Sequence, residues 1–307
     1  MNTWFDDLSV IGNMALRKAA TKLREVGEQD AAESLERTSG GKGVEILRGP
    51  PKLWPFQDRP WQHTAHAFGY LVPSAPSNAQ LPIQHAGNIP ADHSLKNSRV
   101  NITLDRLRVA AYPGGGTHRV LFDFYAQNQV PGDVEHLHFN ATYRVREGEQ
   151  AAILGFPVFV GLNVGTEGLV FKCFTVNVKN DEDEMFLGFL DSDVFKAGLK
   201  LASTMQPAIA PFSQMAFGLT KSIATRNRNV PVQDFYMGLD FSSIATRARL
   251  AEGSYLAVQI PETLQTVWDW SDWIYNPSSG QIVNKAEPTQ LIPYNYLVYS
   301  VSRYEGG

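Results

Sequence analysis

Apolar and polar positions alternate over much of the chain beyond residue 98, the pattern of strands that lay one face on a core. Val100, Ile102 and Leu104 alternate before Pro113-Gly114-Gly115-Gly116, and Val120, Phe122 and Phe124 alternate after it, so the spacing predicts a hairpin. Leu137, Phe139, Ala141, Tyr143 and Val145 form an apolar face opposite His136, His138, Asn140, Thr142, Arg144 and Arg146. This is the clearest half-exposed strand in the sequence. Apolar runs over 153–160, 169–178, 235–241, 255–260 and 292–304 add strands, and 273–283 folds back around Asn276-Pro277-Ser278-Ser279-Gly280. About ten strands joined mostly by short turns predict antiparallel pairing.

Helical periodicity replaces alternation in two places. Over residues 4–37, Leu8, Ile11 and Ala15 begin an apolar stripe that Leu16, Ala19, Leu23 and Val26 continue, with charges opposite and Gly40-Gly41 as the stop. Over 191–226, Asp191 or Ser192 can cap a helix running to about Met205, and Pro207 or Pro211 can start a second running to about Thr225. That second region is rich in Ala and Gly beside Phe212, Met215, Phe217 and Leu219. Such a composition suits packing on a sheet, a membrane-inserting hairpin or an oligomer interface. Residues 49–90 are Pro-rich and irregular, with a short strand predicted at His66 to Leu71. The expected organisation is an N-terminal helical segment (1–48), an extended connection (49–97) and a β domain (98–307) carrying the insertion 191–226. The expected fold is mainly β: an antiparallel β-sandwich, C2-like or jelly-roll-like, with an N-terminal amphipathic helix and an inserted helical pair.

Composition narrows the classes. With 43% hydrophobic residues and 17 Phe, 11 Tyr and 6 Trp among 307 residues, the chain has the material for a core, which excludes a disordered protein. One cysteine excludes an internal disulfide framework and a cysteine-rich zinc module. The net charge of −4 comes from 181–193, where six acidic residues stand without a basic one. A near-neutral remainder argues against nucleic-acid binding. The acidic start Asp6-Asp7 is unlike a signal peptide, and no apolar run reaches the roughly 18–20 residues of a membrane span, so a cytoplasmic location is expected.

Candidate chemistry is sparse. His63, His66, His85 and His93 match no zinc spacing, and His136 and His138 share their face with two arginines, which disfavours a cation. The turn carrying Asp181, Asp183 and Glu184, with Asp269 and Asp272 as a second source of oxygen ligands, is the candidate calcium site, by architectural analogy with C2-type domains. Calcium is the only cofactor the sequence suggests. Three of six tryptophans fall in Trp268-Asp269-Trp270-Ser271-Asp272-Trp273, which reads as a structural aromatic cluster, a partner hot spot, or a sugar or cation site of stacked rings. There is no nucleophile elbow, phosphate loop or His-Glu-x-x-His, and Cys173 lies in an apolar strand. The leading expectation is a non-enzymatic binding or assembly protein acting by protein–protein contacts or self-association, through Trp268, Trp270, Trp273 and the helix face of Leu8 and Ile11. One alternative is a membrane-associating or pore-forming protein that uses Phe212, Met215, Phe217 and Leu219. A weaker one is a metal-dependent hydrolase at the histidines.

Overall fold

The computed structural model describes residues 59–73, 80–130, 132–151, 153, 155–179, 183, 199–200, 218, 220–225, 229–242 and 248–306. The strands in chain order are β1 (Ala65–Leu71), β2 (Leu81–Pro82), β3 (Gln84–His85), β4 (Arg99–Arg108) and β5 (Thr117–Val130). They continue with β6 (Asp133–Arg146), β7 (Phe156–Asn163), β8 (Gly168–Val178), β9 (Leu199–Lys200) and β10 (Val230–Asp240). The last are β11 (Ala248–Arg249), β12 (Gly253–Ile260), β13 (Trp273–Asn276), β14 (Gln281–Asn284) and β15 (Tyr296–Arg303). They form a seven-stranded sheet, β3-β1-β12-β15-β4-β7-β9, a five-stranded sheet, β11-β10-β8-β5-β6, and a three-stranded sheet, β14-β13-β2. Pairing is antiparallel except for β10 with β11 and β7 with β9. The chain is thus mainly β with antiparallel sheets, as the alternation predicts.

One hydrophobic core lies between the two large sheets. Val100, Ile102 and Leu104 of β4 and Leu297, Tyr299 and Val301 of β15 share it with Phe122 and Phe124 of β5 and Phe171 of β8. The rings of Phe171 and Tyr299 meet at 4.9 Å, and Tyr299 Oη donates to Met237 Sδ on β10 at 2.6 Å. A second core covers the opposite face of the seven-stranded sheet, where Leu256, Val258 and Ile260 of β12 meet Trp270, Tyr275 and Ile282. Strands β12 and β15 are therefore buried on both faces, which is why they read as near-continuous apolar runs and not as alternation.

Inside this apolar stack the buried amides of Gln259 and Asn295 are paired. Gln259 Nε2 donates to the carbonyls of His63 (2.6 Å) and Val232 (3.0 Å), and its Oε1 accepts from Asn295 Nδ2. Asn295 Oδ1 in turn accepts from the backbone of Ala110 and Ala111. Two buried amides thereby tie five segments together and satisfy carbonyls that burial would otherwise strand.

Two expectations are corrected. β4 and β5 do not form a hairpin: β4 pairs with β15 and β7, while β5 pairs with β6 and β8. The glycine turn carries the chain across from one sheet to the other, with Tyr112 buried in the core beneath it. Alternation identifies the face a strand buries but is silent on its neighbour. The helix expected from Asp191 to about Met205 is also not what stands at Leu199–Lys200, which pairs parallel with Phe159 and Val160 at the sheet edge. Of the second helix, residues 218 and 220–224 are helical and the turn ends at Thr225; the rest of 191–226, and all of 1–48, lie outside the described residues. His66 to Leu71, expected as a short strand in a connection, falls in β1, which pairs with β12 along its length.

Burial lowers the pKa of two histidines to about 4: His66 beside Phe235, and His118, where Lys179 adds to the effect. Burial lowers that of His85 as well. Below pH 6.5 the unfolded chain takes up protons at these positions that the folded chain refuses, so stability falls as pH drops from 6.5 toward about 4. Thermal unfolding followed from pH 7 to 4.5 should show a declining midpoint, and His66→Phe with His118→Phe should flatten the decline. An unchanged pH profile in the double variant would refute this origin.

Candidate functional site

The tryptophan hexapeptide is brought to one place by a short turn. Residues Trp270–Asp272 make a single 3-10 turn, and Asp269 caps it by accepting from the Ser271 backbone N–H at 2.8 Å. That bond, with a second from the Ser271 side chain, holds the Asp269 carboxyl below its usual range. The turn reverses the chain into β13, so Trp268 and Trp273 come to lie parallel, with ring centroids 6.0 Å apart and planes 3° apart. Trp270 stands edge-on to Trp268 at 5.4 Å, and Tyr294 leans on Trp268 from another side at 6.0 Å.

The three indoles have different environments. Trp270 is 4% exposed and its Nε1 donates to the Phe68 carbonyl of β1 at 3.1 Å, so it anchors the turn to the sheet. Trp268 and Trp273 are only half-buried. They open onto a cleft of about 700 Å³ whose lining also includes Pro82, Ile83 and Ile274 on the apolar side. Its polar lining is Gln80, His85, Asn88, Asp269, Ser271 and Lys285. His85 Nδ1 accepts from the Gly87 backbone N–H at 3.0 Å, which leaves the ring proton on Nε2. Rigid rings, one carboxylate, one ammonium and neutral amides can bind and orient a ligand.

Among the described residues, the predicted positions Asp272 and Asp183 do not join this cleft. Asp272 is exposed and its carbonyl accepts from the Lys285 backbone N–H. Asp183 is fully buried, with its Oδ2 accepting from Asn229 Nδ2 at 2.6 Å. Asp181 and Glu184 lie outside the described residues, as do Leu8, Ile11, Phe212, Met215, Phe217 and Leu219. Among the described residues, no three His, Cys, Asp or Glu side chains converge as a metal site, and no helix is long and apolar enough to cross a membrane. Cys173 is buried, and burial raises its thiol well above the ordinary value.

Sequence reading missed the contributions of Gln80, Asn88 and Lys285. Lys285 was within reach: the β13–β14 register sets Trp273 opposite Asn284, one residue before it. Gln80 and Asn88 come from the irregular stretch and carry no such signal.

A polar cluster on the far face of the five-stranded sheet was also passed over. Asp123 is fully buried; its Oδ1 lies 2.9 Å from His138 Nδ1, and its Oδ2 accepts from Asn140 Nδ2 (3.1 Å) and Thr220 Oγ1 (2.8 Å). A carboxyl beside an imidazole is the orienting half of a general base. Here the Thr220 hydroxyl donates to the carboxyl and accepts from Asn140 Nδ2 at 2.8 Å, so the cluster acts as a clasp between β5, β6 and the 220–224 helical turn. No family model, curated protein or solved structure matches this chain.

Proposed function

We propose that this chain is a non-enzymatic recognition protein, built on a β-sandwich, whose binding site is the cleft lined by Trp268 and Trp273. The observation that carries the reading is the pair of parallel indoles held half-open at a cleft while a third, Trp270, is spent on anchoring. Aromatic side chains fixed in advance lose little freedom on binding, and tryptophan is enriched at contact hot spots. A concave site with a few convergent polar groups is the usual form of a small-ligand site.

Native mass spectrometry of the purified chain, beside a Trp268→Ala/Trp273→Ala variant, tests the proposal. The expected result is added mass on the wild type, from a co-purified ligand or a second copy, that is lost in the variant. Identical spectra from the two would count against the cleft as the recognition site.

A further inference from the structure

We propose that the ligand of this cleft is a neutral saccharide chain, with one pyranose ring laid on an indole face of the Trp268–Trp273 stack. The inference rests on the recognition reading above and names its ligand class. A pyranose has an apolar C–H face and a rim of hydroxyls, each able to donate and to accept. Its binding site therefore needs a flat apolar platform bordered by both donors and acceptors. The stacked pair, its rings 6.0 Å apart and 3° from parallel, offers the platform as one indole face, and Trp270 and Tyr294 hold the stack in place.

The border supplies both kinds of group. Asp269 has lone pairs beyond those that cap the turn, the Lys285 ammonium donates, His85 offers an Nε2–H, and the Asn88 and Gln80 amides do both. All of these except the indoles are exposed, so the cleft is open along one side and suits a segment of a chain.

The charges exclude the other ligands that stack on aromatic rings. One carboxylate and one ammonium balance, and a neutral imidazole adds nothing, so neither a polyanion nor a quaternary ammonium finds a complementary field. A peptide hot spot would want apolar surface around the rings. Among the described residues the exposed large hydrophobic side chains are Val72, Tyr236 and Val267, and of these Val267 alone adjoins the hexapeptide.

The test is titration of the full chain with soluble cello-, xylo-, manno- and chito-oligosaccharides, followed by tryptophan fluorescence and calorimetry. A polyuronic acid, a single-stranded oligonucleotide and choline serve as the other arms. At least one neutral saccharide should shift the indole emission and saturate. Its affinity should fall at least about tenfold in Trp273→Ala, the order of loss for removing one stacking ring. Because Trp273 is half-buried, the exposed-site variants Asp269→Asn and Lys285→Ala are included, and they should weaken binding while leaving the melting temperature unchanged.

Saturation by none of the neutral saccharides at millimolar concentration, preference for the polyanion, oligonucleotide or choline, or affinity unmoved by all three variants would each overturn the saccharide assignment. If saccharides fail while the tryptophan-dependent added mass persists in native spectra, the recognition reading stands and only its ligand is wrong. If that mass is absent too, both fall.

Discussion

Replacing Trp270 with alanine is expected to lower the unfolding free energy by about 3–5 kcal/mol and the melting temperature by roughly 10 °C. The indole is the largest side chain in the second core, where it packs with Leu256, Ile83 and Tyr275. It lies so close to β1 that a Cβ at Gly69 would stand 3.0 Å from its Cζ2 and 2.6 Å from Ile83 Cγ2. Alanine leaves a cavity between two sheets that cannot close without moving β1, which pairs with β12 along its whole length. The change also removes the edge-on support of Trp268, so the parallel arrangement of Trp268 and Trp273 should be lost even below the melting point. Trp270→Phe keeps most of the apolar volume and loses the bond to the Phe68 carbonyl, and should cost about 1–2 kcal/mol. Differential scanning calorimetry checks the series. A midpoint for Trp270→Ala within about 3 °C of wild type would mean the anchor contributes less than about 1 kcal/mol.

Asp123→Ala should be comparably damaging, at about 3–5 kcal/mol, for an electrostatic reason and not a steric one. Its carboxyl is the shared acceptor for Asn140 and Thr220, both fully buried, and for His138. Removing it takes away the one acceptor that the three donors share in the interior. Asp123→Asn keeps the shape but turns an amide donor toward groups that already donate, and should cost about 1–3 kcal/mol. The signature is local as well as global: amide hydrogen exchange in 220–224 should accelerate more than in β12, because Thr220 is the helical turn's tether to the sheet. Urea unfolding of both variants is the check. A loss below about 1 kcal/mol for Asp123→Ala would show that the cluster is not the clasp its geometry implies.

These two residues mark the limits of what the sequence carried. Trp270 was legible because tryptophans are rare and three in six positions stand out; its division of labour from Trp268 and Trp273 was not, since that depends on Phe68 lying above it in another strand. Asp123 gave no signal at all, being one polar residue in an alternating strand. What made it buried is the covering of the far sheet face, visible at Thr220, and such a covering leaves the polar face of β5 looking solvent-exposed in the sequence. The same limit explains the hairpin that was expected at β4 and β5. Period-two alternation reports which side chains turn inward and is indifferent to whether two neighbouring strands share a sheet. The hairpin of β13 and β14 was read correctly because Asn276 to Gly280 is a turn with its own chemistry: Asn276 Oδ1 accepts from the Ser278 backbone N–H and the Ser278 hydroxyl.

The order of strands in the seven-stranded sheet also fixes an order in time. β5, β6, β8 and β10 come from one stretch of chain, and as it leaves the ribosome they can pair with each other at once. β4, made before them, can pair with β7 on one side but has to wait for β15 at residues 296–303 on the other, and β1 waits for β12 at residues 253–260. Throughout that interval Phe122, Phe124 and Phe171 lack the β12 and β15 part of the opposing layer, including Tyr299. Translation that stalls before residue 296 therefore releases a half-built protein with its stickiest face partly uncovered, a substrate for chaperones or for aggregation.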